Sequence, residues 1–144
     1  MPADPHGYMT DLAKYGAGGG YYGWNYRATW DFAVQGGATG TIVLPTVIPA
    51  NTVVFGGLFH VITTFAGATN TVAIGLNTTT DLLAATAIAT YGTIGVHAVT
   101  PVFTAASAFV LTADRQLTLT LATAAVTAGK MTIYLALYPS EAAD

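Results

Sequence analysis

The sequence predicts an all-β protein, an antiparallel β-sandwich of jelly-roll-like type with an extended N-terminal arm. Three observations carry that expectation. First, 109–138 (FVLTADRQLTLTLATAAVTAGKMTIYLALY) holds two runs of period 2: Leu117, Leu119 and Leu121 alternate with Thr118 and Thr120, and Met131, Ile133, Leu135 and Leu137 alternate with Thr132, Tyr134, Ala136 and Tyr138. Alternation of this kind puts one residue class on each face of a strand. Second, seven or eight short apolar runs recur every 8–15 residues with Gly, Pro and Asn chemistry between them, the spacing of a sandwich. Third, charged residues make up only 8% of the chain and no Asp, Glu, Lys or Arg lies between Asp31 and Asp81. Ordinary domains carry about 25%. A β-rich chain with so little charge suits a subunit that hides much of its surface in an assembly.

The 144 residues are one domain's worth of chain. The pattern divides them into an arm at 1–27, a sandwich at 28–138 and a short tail at 139–144. In the arm, Gly16, Gly18, Gly19, Gly20 and Gly23 are interleaved with Tyr15, Tyr21, Tyr22, Trp24 and Tyr26, with no helical or strand period. Rings this large are costly to leave in water, so Tyr15, Tyr21, Tyr22, Trp24 and Tyr26 are expected to contact a neighbouring subunit or a partner, the plainer reading being that they pack on their own domain. Residues 9–15 could form one helical turn.

Strands are expected at 28–34, with Trp30 and Phe32 on one side, and at 41–44, stopped by Pro45 and Pro49. A turn follows at 49–52. The longest strand, 53–64, is apolar on both faces: Val53, Phe55, Phe59 and Val61 on one, Val54, Leu58 and Ile62 on the other. Such a strand is covered twice, so Val54, Leu58, His60 and Ile62 are expected at an interface between copies. Gly56-Gly57 predicts a bulge or bend within it. Next come a turn at 66–70, a strand at 71–76, a packed helical turn at 81–85, a strand at 86–91 and a mostly irregular stretch at 92–108. The two runs of 109–138, joined by a small-residue connection ending at Gly129, predict an antiparallel hairpin.

The composition excludes several functions. No apolar run is long enough for a membrane helix, and a lipid-facing barrel would need aromatic girdles, whereas the aromatics here bunch near the N-terminus. Two Lys and two Arg against a net charge of −3 cannot neutralise a row of phosphates, so neither nucleic acid nor membrane is an expected partner. The absence of cysteine removes disulfides and thiolates. The first 16 residues hold no apolar signal core, so assembly without secretory export is expected.

Candidate chemistry is sparse. His6, His60 and His97 have no second ligand at i+2 or i+4, so no metal and no cofactor is expected. Asp31, Asp81 and Asp114 could in principle pair as glycosidase carboxylates, but each has a simpler role as an exposed strand residue, a cap and a turn residue. The GAGGG run of 16–20 lacks the Lys-Ser/Thr and the strand–helix setting of a phosphate loop. Tyr21, Tyr22, Trp24, Tyr26 and Trp30 could form a sugar platform, yet a Gly-rich arm is a poor rigid support for stacking, and protein contact is the expected use. No catalytic residue is assigned and the chain is not expected to be an enzyme.

From residue 48 to 138, IPANTVVFGGLFHVITTFAG, NTVAIGLN, DLLAATA and FVLTADRQLTLTLATAAVTAGKMTIYLALY occur in an order that resembles small β-sandwich virion proteins of tailed bacteriophages. The likeness spans about 90 of the 144 residues and rests on strands and turns, with no catalytic signature. It implies a capsid decoration (cement) protein, a homotrimer on the major capsid protein at the outer surface of the virion, assembled in the host cytoplasm. The alternative it implies is a glycan- or receptor-binding domain of a tail or fibre.

Overall fold

The computed structural model describes residues 26–101 and 110–139. Among these residues eight strands form: β1 (Tyr26–Asp31), β2 (Gly40–Ile48), β3 (Thr52–Gly67), β4 (Thr71–Gly75), β5 (Leu83–Ala87), β6 (Gly95–Ala98), β7 (Arg115–Ala122) and β8 (Val126–Pro139). Two single-turn helices interrupt them, α1 (Phe32–Gln35) and α2 (Ile88–Tyr91). The strands make two four-stranded antiparallel sheets. Sheet A has the order β1-β8-β3-β6, and sheet B the order β2-β7-β4-β5. The pairs β1·β8, β2·β7, β3·β6 and β4·β5 are nested like a long hairpin folded over on itself. This is the double-sheet jelly roll that the strand spacing predicts.

The hairpin expected at 109–138 does not form. β7 pairs with β2 and β4, and β8 pairs with β1 and β3, so the two runs lie in different sheets. Their apolar faces meet across the core: Leu117, Leu119 and Leu121 from one sheet, Met131, Ile133 and Leu135 from the other, all buried. Each run is amphipathic with one apolar face, a pattern equally satisfied by pairing side by side and by facing across a sandwich. The corner is tight, with Thr123 at φ 74°. Gly129 is not in the corner but inside β8, at φ 149°, where a Cβ would come within 2.8 Å of the Phe65 ring and 2.9 Å of Trp30. The rings of Trp30 and Phe65 pack 4.9 Å apart over that bare backbone.

Other departures have local causes. β1 starts at Tyr26, whose side chain is buried in the sandwich's own core instead of reaching outward from an arm. Its hydroxyl donates to the Thr46 carbonyl oxygen at 3.3 Å, and burial pushes the phenol up to about 12. β1 ends at Asp31 because the Asp31 carboxylate accepts from the Ala33 N–H and caps α1, turning Phe32 out of the strand. β2 runs on through Pro45 with a register irregularity, which its edge position tolerates. The expected helical turn at 81–85 and strand at 86–91 are exchanged: Leu83–Ala87 pairs with β4 and Ile88–Tyr91 is helical. Alanine and threonine carry little periodic signal there, and pairing with β4 decides the state. The stretch expected to be irregular contains β6, which closes the edge of β3.

Candidate interaction surface

β3 decides which residues of sheet A look outward. Its register against β8 shifts between Val54 and Gly56, so Phe55 is an extra residue and the side-chain alternation changes phase across it. Val54 before the bulge and Phe59 and Val61 after it all point inward and are buried. Val54, expected at an interface, therefore belongs to the core, while Phe59 and Val61 share the inner side with it. Leu58, His60 and Ile62 do lie together on the outer side.

The outer face can be followed across the sheet by register. One row runs Arg27, Tyr134, Leu58, Ala98, and the next runs Thr29, Thr132, His60, Val96. Toward the β8 C-terminus lie Gly56 opposite Ala136 and Val53 opposite Tyr138. Phe55 stands over that end, its ring 5.1 Å from Tyr138 and edge-on to it. Four large side chains of this face remain in water: Phe55 at 60% exposure, Val96 at 62%, Tyr138 at 48% and Ile62 at 42%. Among the described residues, charge on this face is confined to the β1 border, as Arg27 and the Asp31–Lys130 ion pair at 3.1 Å. The N–H of Ala33 and then Lys130 hold the Asp31 carboxyl below the usual carboxylate range. Away from that border the face is aromatic and aliphatic, an apolar area that water covers unfavourably.

The remaining candidates resolve into structural roles. Asp81 accepts from the N–H groups of Leu76, Asn77 and Thr78 at 2.8–3.0 Å and closes that loop. Asp114 accepts from the Ala50 N–H at 2.9 Å. His97 belongs to a ring cluster, 5.2 Å from Phe59 and 5.3 Å from Tyr91. Trp30 is enclosed in the core, its indole N–H donating to the Gly36 carbonyl at 3.0 Å, so it offers no face to a sugar. Among the described residues no three His, Cys, Asp or Glu side chains group together as metal ligands would. A cleft of about 460 Å³ between the 64–71 and 87–93 segments is lined by Thr, Ala, Gly, Phe65, Ile88 and Asn70, with no charged group. Of the expected arm contacts, Tyr15, Tyr21, Tyr22 and Trp24 lie outside the described residues. Sequence reasoning missed Phe55, Val96 and Tyr138 as outward neighbours of Leu58. The clue was Gly56-Gly57, whose bulge reverses the phase just where Phe55 stands.

No family model matches the chain, and no curated protein matches it. Solved structures do. A chain of the acid-stable capsid of Helicobacter pylori bacteriophage KHP30 aligns with TM-score 0.53 and 15% identity, over 79% of this chain and 86% of that one. A chain of the cyanophage Pam1 capsid asymmetric unit aligns with TM-score 0.55 and 16% identity, over 78% and 81%. A chain of the Ralstonia phage GP4 capsid aligns with TM-score 0.53 and 21% identity, over 79% and 83%. The chain shares its fold with chains of three phage capsids.

Proposed function

We propose that this protein is a structural component of a phage virion, a capsid decoration protein that binds the outer surface of the shell as a homotrimer and stabilises it. The observation that carries this reading is the fold shared with capsid chains of three phages over about four-fifths of both partners. Those shares make each matched chain about as long as this one, so the likeness is to a whole small capsid chain and not to a domain of a much larger one. The apolar part of the outer face of sheet A supports the same reading, because a copy or a shell protein that covers Leu58, Ile62 and Val96 removes apolar area from water.

The role requires no chemistry. Burying apolar surface yields about 25 cal/mol per Å² before the costs of association. Modest contacts then add across many linked copies, so that the shell resists forces that would part its subunits. The partners are the major capsid protein and further copies of the chain. The test is co-sedimentation of the purified chain with shells that lack it, alongside analytical ultracentrifugation of the free protein. Saturable binding that raises the temperature at which shells rupture, with a trimer in solution, is the expected result. A monomer that fails to bind shells but is retained by a glycan array would replace this reading with a receptor-binding one.

A further inference from the structure

Each sheet of the sandwich ends on two edge strands, and an edge strand leaves a row of backbone N–H and C=O groups without a ladder partner. Among the described residues, the edges other than β5 are guarded. On β1 the Gln35 side chain stands in for a neighbouring strand: its Oε1 accepts from the Asp31 N–H at 2.8 Å, and its Nε2 donates to the Thr29 carbonyl at 3.2 Å. On β2 the carbonyls of Leu44 and Thr46 accept from the Gln116 amide and the Tyr26 hydroxyl, and Pro45 between them has no N–H to offer. β6 is only 4 residues long and begins at Gly95, whose φ of 147° ends the extended line. β5 has no such device over Ala85–Ala87. The Ile88 N–H donates to the Asn70 carbonyl at 3.0 Å and Thr86 lies opposite Val72, so residues 86 and 88 turn their backbone groups to β4. Alternation turns those of Ala85 and Ala87 outward, where no group among the described residues takes them. The side chains there are small and uncharged, and Ala84, Ala85 and Ala87 are exposed, so nothing in them keeps a further strand away. The uncharged cleft of about 460 Å³ opens where this edge ends, with Thr71, Ala87, Ile88 and Ala89 in its wall. Alternate N–H and C=O groups beside a pocket are what recognition of an extended peptide by strand addition requires.

We propose that β5 is a strand-addition site: an extended, uncharged segment of the shell protein pairs with the backbone of Ala85 and Ala87 and sets one aliphatic side chain into the cleft. That the segment belongs to the shell protein rests on the capsid reading above. Its lack of charge follows from the site, because neither β5 nor the cleft holds a counter-charge and an unpaired charge is costly to cover. β5 lies at the edge of sheet B, so this contact leaves the outer face of sheet A open to further copies.

Proline tests this edge without disturbing the fold. Ala87 has φ −59°, close to the angle that proline imposes, and its N–H has no partner within the sandwich. Ala87→Pro in the full-length protein should therefore not lower the unfolding temperature of the free chain. It should weaken co-sedimentation with shells that lack the protein by about tenfold, the scale of one lost backbone hydrogen bond. Ala89→Trp, which fills the cleft, should weaken it by a similar factor. Amide hydrogen exchange across residues 83–88 of the unmodified protein should slow on shells. Full-strength binding by Ala87→Pro, or exchange that does not slow on shells, overturns strand addition alone. If Ala87→Pro does lower the unfolding temperature, Ala89→Trp and the exchange measurement decide. If the unmodified protein fails to sediment with shells, the capsid reading falls and this proposal falls with it.

Discussion

The two outer faces of the sandwich are built on the same strand geometry, but only that of sheet A exposes aromatic rings. On sheet B the outward residues of the inner strands are small, polar or hydroxylated, and the exposed Val43 and Val47 stand on the edge strand β2; Thr41 and Thr120 oxygens lie 3.1 Å apart, and Thr118 donates to the Gly75 carbonyl at 3.1 Å. Threonine suits this place, because its methyl group covers the pleat while its hydroxyl stays satisfied. On sheet A the corresponding positions carry Phe55, Leu58, Ile62, Val96, Tyr134 and Tyr138, and only the Thr29–Thr132 contact at 3.0 Å repeats the threonine device. Both sheets need an apolar inner face to make a core, and neither needs an apolar outer one. The outer face of sheet A is therefore free of any folding requirement, which is why a second use is the physical account of it.

The largest effect that would break this comparison lies within β3 itself. Phe59→Ala, on the inner side, should destabilise the protein by about 3–5 kcal/mol, the usual range for emptying a buried phenylalanine site. Phe55→Ala, four residues away on the outer side, should cost under about 0.5 kcal/mol, as surface substitutions do. Urea denaturation of the two variants measures both. Equal losses would mean that the bulge does not reverse the strand's phase.

Next in size is a contrast between the faces. Ile62→Asp with Val96→Asp places two carboxylates on the outer face of sheet A, and self-association should weaken at least a hundredfold by sedimentation equilibrium, since a buried unpaired charge is costly. Thr118→Asp with Thr41→Asp on sheet B should leave association within about twofold, the range of an exposed site. If the second pair is the disruptive one, the interface has been put on the wrong sheet.

The smallest effect concerns Tyr26. Its phenol is pushed up to about 12 by burial from an ordinary value of 10.0. A raised pKa in the folded state means that the unfolded chain ionises first, so the contribution is intact below pH 10 and is lost as pH rises from 10 towards 12. The loss is on the order of 2 kcal/mol when complete. Tyr26→Phe should remove that alkaline dependence, and thermal unfolding between pH 9 and pH 12 reads it. An unchanged profile would mean that the Tyr26 phenol is not buried in the core.

The sequence by itself determined the class of fold and the inner faces of its clearest strands. Period-2 runs such as Leu117–Leu119–Leu121 and Met131–Ile133–Leu135 state which side is buried, because alternation follows from the strand backbone alone. It also determined that no strong chemical site would be legible, since titratable side chains are few and scattered. Only the tertiary structure decided that these two runs face each other across the core instead of pairing as a hairpin, because an amphipathic pattern specifies a buried face and not the strand beside it. Likewise the sequence showed β3 to be apolar on both sides, but a one-residue bulge decided which of Val54, Phe55, Leu58 and Phe59 look out. Adding one residue moves every later side chain to the opposite face, and the register against β8 that locates the extra residue is set by chain about 80 residues away.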